Sequence, residues 1–133
     1  MALSSFSGSG LQRAGQTENA AISDTPTGNY SSGGVTYDYW EFNSSGSISV
    51  SQAGLADVLV VGGGGSGGHN TPGGGGGGGA GGVLVASSFY FTSGSHNVVI
   101  GAGAPSQGVS TAAGFPGAAS RVGPAVAPGG GGG

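Results

Sequence analysis

The chain has 133 residues, of which 35 are glycine, and its formal net charge is -3. It contains no lysine and no cysteine, and its arginines are Arg13 and Arg121. The basic footprint that nucleic-acid binding requires is therefore absent, and neither disulfides nor a thiolate metal site can form. Because Val, Ile, Leu and Phe make up just under a fifth of the residues, the side-chain core is small. Stability must come from backbone hydrogen bonds or from partner chains.

Residues 1–33 are rich in Ser, Gly, Thr and Asn and show no helical stripe of apolar side chains. We predict that they form an extended arm that anchors the chain to a symmetric assembly, and a disordered tail is the alternative. The first six residues lack the basic and apolar regions of a secretory signal. No segment approaches the roughly 18 consecutive apolar residues of a membrane helix. The sequence thus predicts no membrane insertion.

The strand-like segments begin after the arm. Residues 35–42 are β-branched and aromatic, residues 43–46 are turn formers, and residues 47–51 alternate polar and apolar side chains. This pattern predicts a β-hairpin. Its aromatic side chains are candidates for stacking on sugars, but a strand alternates faces, so at least one pair is expected in the core. The aromatic side chains of this segment are Tyr37, Tyr39, Trp40 and Phe42.

The second half alternates aliphatic and glycine-rich segments. The segment 56–61, which is apolar except for Asp57, predicts a buried strand that leads into the glycine-rich run 62–68. His69, Asn70, Thr71 and Pro72 form a predicted loop tip. Further predicted strands, the first two separated by a bend, are 83–86, 88–92 and 96–100. The glycine positions predicted to be structural are Gly62, Gly63, Gly64, Gly65, Gly73, Gly74, Gly75, Gly76, Gly77, Gly78 and Gly79.

Ordered glycine runs have one regular structure that suits this pattern. A polyglycine chain can form a threefold polyproline II-type helix that rises about 3.1 Å per residue and makes no internal hydrogen bonds. Stacked helices of this kind satisfy one another's backbone groups, and only glycine fits their close approach. We therefore predict a mostly β fold with irregular structure, in which short strands frame packed polyglycine II helices and no significant α-helix occurs.

The sequence lacks residues that the common nucleotide-binding and catalytic motifs require. A Walker loop needs a lysine, and a dinucleotide site needs a helix and an acid after its glycines, whereas no acid follows Asp57. No carboxylate lies near His69 or His96 in the sequence, so no catalytic triad is supported. His69 is interpreted as a solvated loop residue and His96 as structural. We predict a protein that is not an enzyme, with no catalytic, cofactor-binding or metal site.

Six segments follow one another in a characteristic order: Trp40–Ile48, Asp57–Gly65, Gly73–Leu84, Asn97–Gly103, Gly114–Ser120 and Gly129–Gly133. This ordered set of motifs resembles the glycine-rich domains of tailed-phage fibres and adhesins. The resemblance covers residues 35–133 and implies packed polyglycine II helices, a β-rich rim and a role at the virion surface. In such adhesins the loops between glycine tracts determine host range, which points here to His69–Pro72 and Ala104–Phe115.

These observations define the expected organisation and role. Residues 1–33 would anchor the chain to other virion proteins, and residues 34–133 would form the glycine-rich domain of a homo-oligomer, with a trimer as the expected state. We expect a non-enzymatic fibre or appendage at the virion surface, which contacts a host-surface glycan or outer-membrane protein. The alternatives are a capsid decoration protein and a self-assembling extracellular filament.

Overall fold

The structure is a computed structural model that describes residues 2–6, 18–70, 73–108 and 112–133. Ten β-strands and no helix occur in these ranges, which confirms the predicted mostly β class with irregular segments. The strands are β1 Ala2–Phe6, β2 Ala21–Ile22, β3 Gly28–Ser32, β4 Val35–Glu41, β5 Gly46–Gln52, β6 Gly54–Val61, β7 Val83–Phe91, β8 Gly94–Val99, β9 Ser120–Val122 and β10 Ala125–Ala127.

The strands are arranged in two five-stranded sheets. Their strand orders are β3-β4-β1-β6-β7 and β10-β9-β8-β5-β2. The chain divides into two compact units, which are described separately below. Unit 1 comprises Met1–Leu59 and Val85–Asn97, and unit 2 comprises Val60–Leu84 and Val98–Gly133.

In unit 1, residues of the predicted arm form strands. β3 and β4 are antiparallel and are joined by Gly33 and Gly34, whose φ angles are 59° and 79°. Two successive positive φ angles are the requirement of a tight type I′ turn, which explains the Gly-Gly pair. β1 pairs antiparallel with both β4 and β6. The anchoring role of residues 1–33 stays a prediction, and residues 1 and 7–17 lie outside the described residues.

The predicted hairpin between residues 35–42 and 47–51 is wrong. β4 pairs with β3 and β1, whereas β5 belongs to the other sheet and pairs with β2. Asp24 links the two strands: its carbonyl accepts the Trp40 indole N–H at 3.0 Å, and its carboxylate accepts the Ser49 N–H at 2.7 Å. Because earlier segments supply these partners, the turn at residues 43–46 connects two sheets.

Apolar side chains alternate between a buried and an exposed face along β6. Ala56, Val58 and Val60 are buried, whereas Leu59 and Val61 are 38% and 44% exposed. The prediction of a strand that is buried throughout residues 56–61 is therefore wrong, because β6 is covered on one face only. In unit 1 the buried side chains include Ala20, Trp40, Ile48, Val50 and Phe91, and in unit 2 they include Val98, Ser120, Val122, Ala125 and Ala127.

The bend predicted between residues 86 and 88 lies within a single strand. β7 runs from Val83 to Phe91, and Ser88 has a φ of 57°. A side chain rarely adopts this left-handed conformation, so the site is locally strained. The Asp57 carboxylate accepts the Ser88 N–H at 2.9 Å and holds the bent backbone.

Candidate functional site

The glycine tracts of unit 2 pair with one another at every third residue. The first tract, residues 62–68, donates N–H groups to the carbonyls of the second tract, residues 73–82, at 2.8–2.9 Å. A repeat of three is that of the polyglycine II helix. Because the partner number falls as the donor number rises, the two tracts run antiparallel. The bonds join Gly62 to Gly82, Gly65 to Gly79 and Gly68 to Gly76.

The next residues of the first tract face a third tract, residues 112–118. These donors, again three residues apart, bond to the third tract at 2.9 Å, in the pairs Gly63–Ala118, Ser66–Phe115 and His69–Ala112. The donors at positions 62, 65 and 68 thus bond to the second tract, and the donors at 63, 66 and 69 bond to the third. The threefold twist of the backbone permits this, because residues three apart form a row along one side of the helix.

A fourth tract, residues 128–133, also belongs to the bundle, to which Ala102 and Ala104 add one bond each, with Ala118 and Gly64. Gly130 and Gly133 donate to Gly63 and Ser66 at 2.8 and 3.0 Å, and both numbers rise together, so this contact is parallel. The fourth tract also accepts N–H groups from the second tract and from the third. These bonds are Gly79 to Gly131, Gly82 to Pro128, Gly114 to Gly133 and Gly117 to Gly130. The fourth tract therefore bonds to all three of the others.

The spacing of the tracts explains why a side chain is excluded on two rows of the second tract. A Cβ on Gly78 would overlap the carbonyl of Gly65 in the first tract. A Cβ on Gly79 would lie 3.0 Å from the backbone of Gly131 in the fourth tract. A Cβ on Gly77 would meet nothing within 4 Å, and Ala80 occupies the same row three residues later. Only this row faces open space.

Two serines of unit 2 accept backbone N–H groups through their hydroxyls. The hydroxyl of Ser66 accepts the Phe115 N–H at 2.9 Å, and the hydroxyl of Ser120 accepts the Gly101 N–H at 2.9 Å. Ser120 is 1% exposed, so an unmet donor beside it would carry a desolvation cost. Sequence reasoning did not identify either role, and the only signal was that Ser66 interrupts a glycine run.

The two predicted loop segments meet at one end of the bundle. The backbones of His69 and Ala112 exchange two hydrogen bonds of 2.9 Å. Asn70 is exposed, while Thr71, Pro72 and residues 109–111 lie outside the described residues. A cleft of about 350 Å³ opens here, lined by Gly68, His69, Asn70, Gly74, Gly75, Gly76, Ala112, Ala113 and Gly133.

The chemistry of this cleft is that of hydrogen bonding. Its described lining offers backbone amides and carbonyls, one imidazole and one carboxamide. Across the described ranges, no group of three or more His, Asp or Glu side chains is placed to hold a metal ion. Within those same ranges no helix is long and apolar enough to cross a membrane.

A second cleft, of about 420 Å³, lies in unit 1. Its lining includes Tyr30, Tyr39, Asp57, Leu59 and Val85. The Tyr30 ring, which is 46% exposed, stacks on Tyr37 with ring centroids 5.1 Å apart. Of the aromatic side chains considered for sugar stacking, Trp40 is buried, whereas Tyr37 and Tyr39 are half-buried. His96 packs edge-on against Phe91 at 5.2 Å and contacts the Thr92 carbonyl at 2.8 Å.

Comparison with known proteins identifies one family. The family described as "Glycine-rich domain" matches residues 43–133, which is 91 of the 133 residues. No curated protein and no solved structure matches the chain. The matched range contains all four tracts of the bundle and both loop segments at its end. The chain belongs to the glycine-rich domain family.

Proposed function

We propose that this chain is a non-enzymatic structural protein of a tailed-phage virion, a surface-exposed glycine-rich fibre or appendage. The observation that carries the proposal is the hydrogen-bonded glycine bundle, which holds two loop segments together at one end. A backbone bundle of this kind supplies a stiff support without a large side-chain core. The resemblance in the order of the motifs supports the virion role.

The proposal extends to assembly and location. The chain is a homo-oligomer, with a trimer as the expected state, and it lies at the virion surface. Residues 1–33 contact other virion proteins, and the bundle end faces outward. The small core supports oligomerisation, because a chain with few buried side chains gains stability from partner chains.

Labelling of intact particles tests the virion role. Gold-conjugated antibody against the chain is applied to purified phage that encodes it, and the particles are imaged by electron microscopy. We expect label on the tail, together with the intact chain in mass spectra of the same particles. Label on the head would favour a capsid decoration protein over a fibre. Absence from particles, with label in a matrix around cells, would favour the filament.

The meeting of the two loop segments favours a host-contact role for the bundle end. Its described polar side chains are those of His69 and Asn70, which suit hydrogen bonding to a surface glycan or to an outer-membrane protein. We propose that this end contacts the host. These two classes are the candidate partners, and both are recognised through the same polar groups.

A double substitution tests host contact. We expect His69→Ala with Asn70→Ala to slow adsorption of assembled particles about tenfold, since losing two modest hydrogen bonds amounts to about 1.4 kcal/mol. Asn97→Ala is the control, because Asn97 is exposed in unit 1. Adsorption that is unchanged both in this variant and in one with residues 104–108 replaced would reject the host-contact role.

A further inference from the structure

One tract of the bundle leaves most of its backbone groups unpaired. In the second tract, the N–H groups of Gly79 and Gly82 donate to the fourth tract, and every third carbonyl accepts from the first tract. Within the described ranges, the backbone N–H and C=O groups of Gly74, Gly75, Gly77 and Gly78 make no backbone hydrogen bond. Residues 73–80 are all exposed. The tract therefore presents an open edge, comparable to the edge strand of a sheet.

Packing within this chain does not explain why positions 74 and 77, in the row that faces open space, are glycine. A Cβ on Gly74 or Gly77 would meet nothing within 4 Å. Glycine at such a position lowers stability, because it enlarges the conformational freedom of the unfolded chain. Pro105 and Ser106 show the contrast, since they are exposed and carry side chains. Glycine at positions 74 and 77 therefore indicates that a segment of another chain approaches the backbone closely there.

We propose that residues 73–79 are a docking edge that binds the same tract of a second copy of this chain. The unpaired groups repeat every three residues, about 9 Å along the axis, and another polyglycine II helix offers donors and acceptors with the same repeat. A side chain directed into this contact would keep the two helices apart. The Ala80 methyl ends the run of bare positions and sets the limit of the edge.

The existing bundle shows that such a contact forms. Gly76, Gly79 and Gly82 of the second tract already bond to the first and fourth tracts. A further helix would continue the same lattice of hydrogen bonds. The bundle contains both an antiparallel contact, between the first and second tracts, and a parallel one, between the first and fourth. The edge is therefore compatible with a pair or with a ring of three copies. No charged residue lies between Asp57 and Arg121, so the paired tracts do not repel each other.

This inference rests on the oligomeric part of the proposed function and names its surface. The test is sedimentation of the purified chain over a range of concentrations, for the unmodified protein, Gly77→Lys and Gly74→Lys. A lysine in the open row is tolerated by the fold but blocks a second helix. We expect the unmodified chain to associate and both variants to associate at least about tenfold more weakly. Amide exchange of Gly65, which bonds to Gly79, reports that the bundle is intact.

Gly46→Lys is the matched control, because a Cβ at Gly46 also meets nothing within 4 Å and the residue lies in unit 1. It should associate like the unmodified chain. Three results would overturn the docking edge: a monomer at all concentrations, association unaffected by either variant, or equal weakening in the control. Loss of the folded bundle in both variants would also overturn it, since the row would not be open. The measurement needs no virion, so the phage role stands or fails separately.

Discussion

Gly78→Ala is expected to destabilise the folded chain by about 3 kcal/mol, at the upper end of the cost of overpacking a close contact. The added methyl would overlap the carbonyl of Gly65, which belongs to the backbone and cannot rotate away. The two tracts must separate, and the hydrogen bond from Gly65 to Gly79 is lost or lengthened. Urea unfolding followed by circular dichroism measures the change, and amide exchange of Gly65 localises it.

Gly77→Ala is the control one residue away. A methyl at this position meets nothing within 4 Å, and the polyproline II conformation is allowed for alanine. The unfolded state loses freedom, so we expect no loss of stability and a gain of up to about 1 kcal/mol. Both variants are compared at one low protein concentration, because self-association would shift the apparent stability. Equal destabilisation by the two would contradict the threefold assignment of rows.

Phe91→Ala is expected to cost about 3–5 kcal/mol, the usual range for removing a buried aromatic ring. Phe91 is 1% exposed and its ring packs edge-on against Phe89 and His96, with centroids 5.1 and 5.2 Å away. Its removal leaves a cavity in unit 1. The fluorescence of Trp40, the single tryptophan and itself buried in this unit, follows the unfolding.

Tyr90→Ala provides the comparison for this position. The Tyr90 side chain is 52% exposed, and its neighbour in the strand carries the buried ring. Its replacement should change stability by no more than about 1 kcal/mol. A Phe91→Ala variant that unfolds at nearly the unmodified urea concentration would show that this ring does not lie in the core.

The sequence predicted the class of the fold through its glycine tracts. Runs without side chains, bordered by aliphatic strands, have few ordered structures open to them, and the three-residue repeat of the bundle is the one expected. The identity of each tract's partner was not predictable. Glycines carry no side chain that distinguishes one neighbour from another, so the strands and turns at the tract ends decide which tracts meet.

The turns account for the main error. The residues Asn43–Gly46 favour turns and predict a hairpin turn, but the hairpin between β3 and β4 forms at Gly33 and Gly34. Gly33 lies in the segment whose composition predicts an arm, although a Gly-Gly pair between Tyr30 and Val35 is a hairpin signal. The carbonyl and carboxylate of Asp24, which engage Trp40 and Ser49, are long-range contacts that no local pattern reveals.

The candidate site was predictable in part. The loop at His69–Pro72 followed from the residues between two glycine runs, whereas the pairing of His69 with Ala112 depends on how the third tract lies against the first. Ser66 and Ser120 were missed because serine is common in this chain and its role here is to accept one backbone N–H. Such a role is visible only once the neighbouring tract is in place.

The position of the fourth tract in the bundle has a consequence for the order of folding. Its residues, 128–133, bond to tracts that begin as far back as residue 62. Contacts between segments so distant in the chain form slowly, because the intervening loop must close first. During synthesis we therefore expect some backbone groups of the first and second tracts to stay unpaired until residues 128–133 have left the ribosome. This interval is when another glycine-rich chain can compete for the same backbone groups.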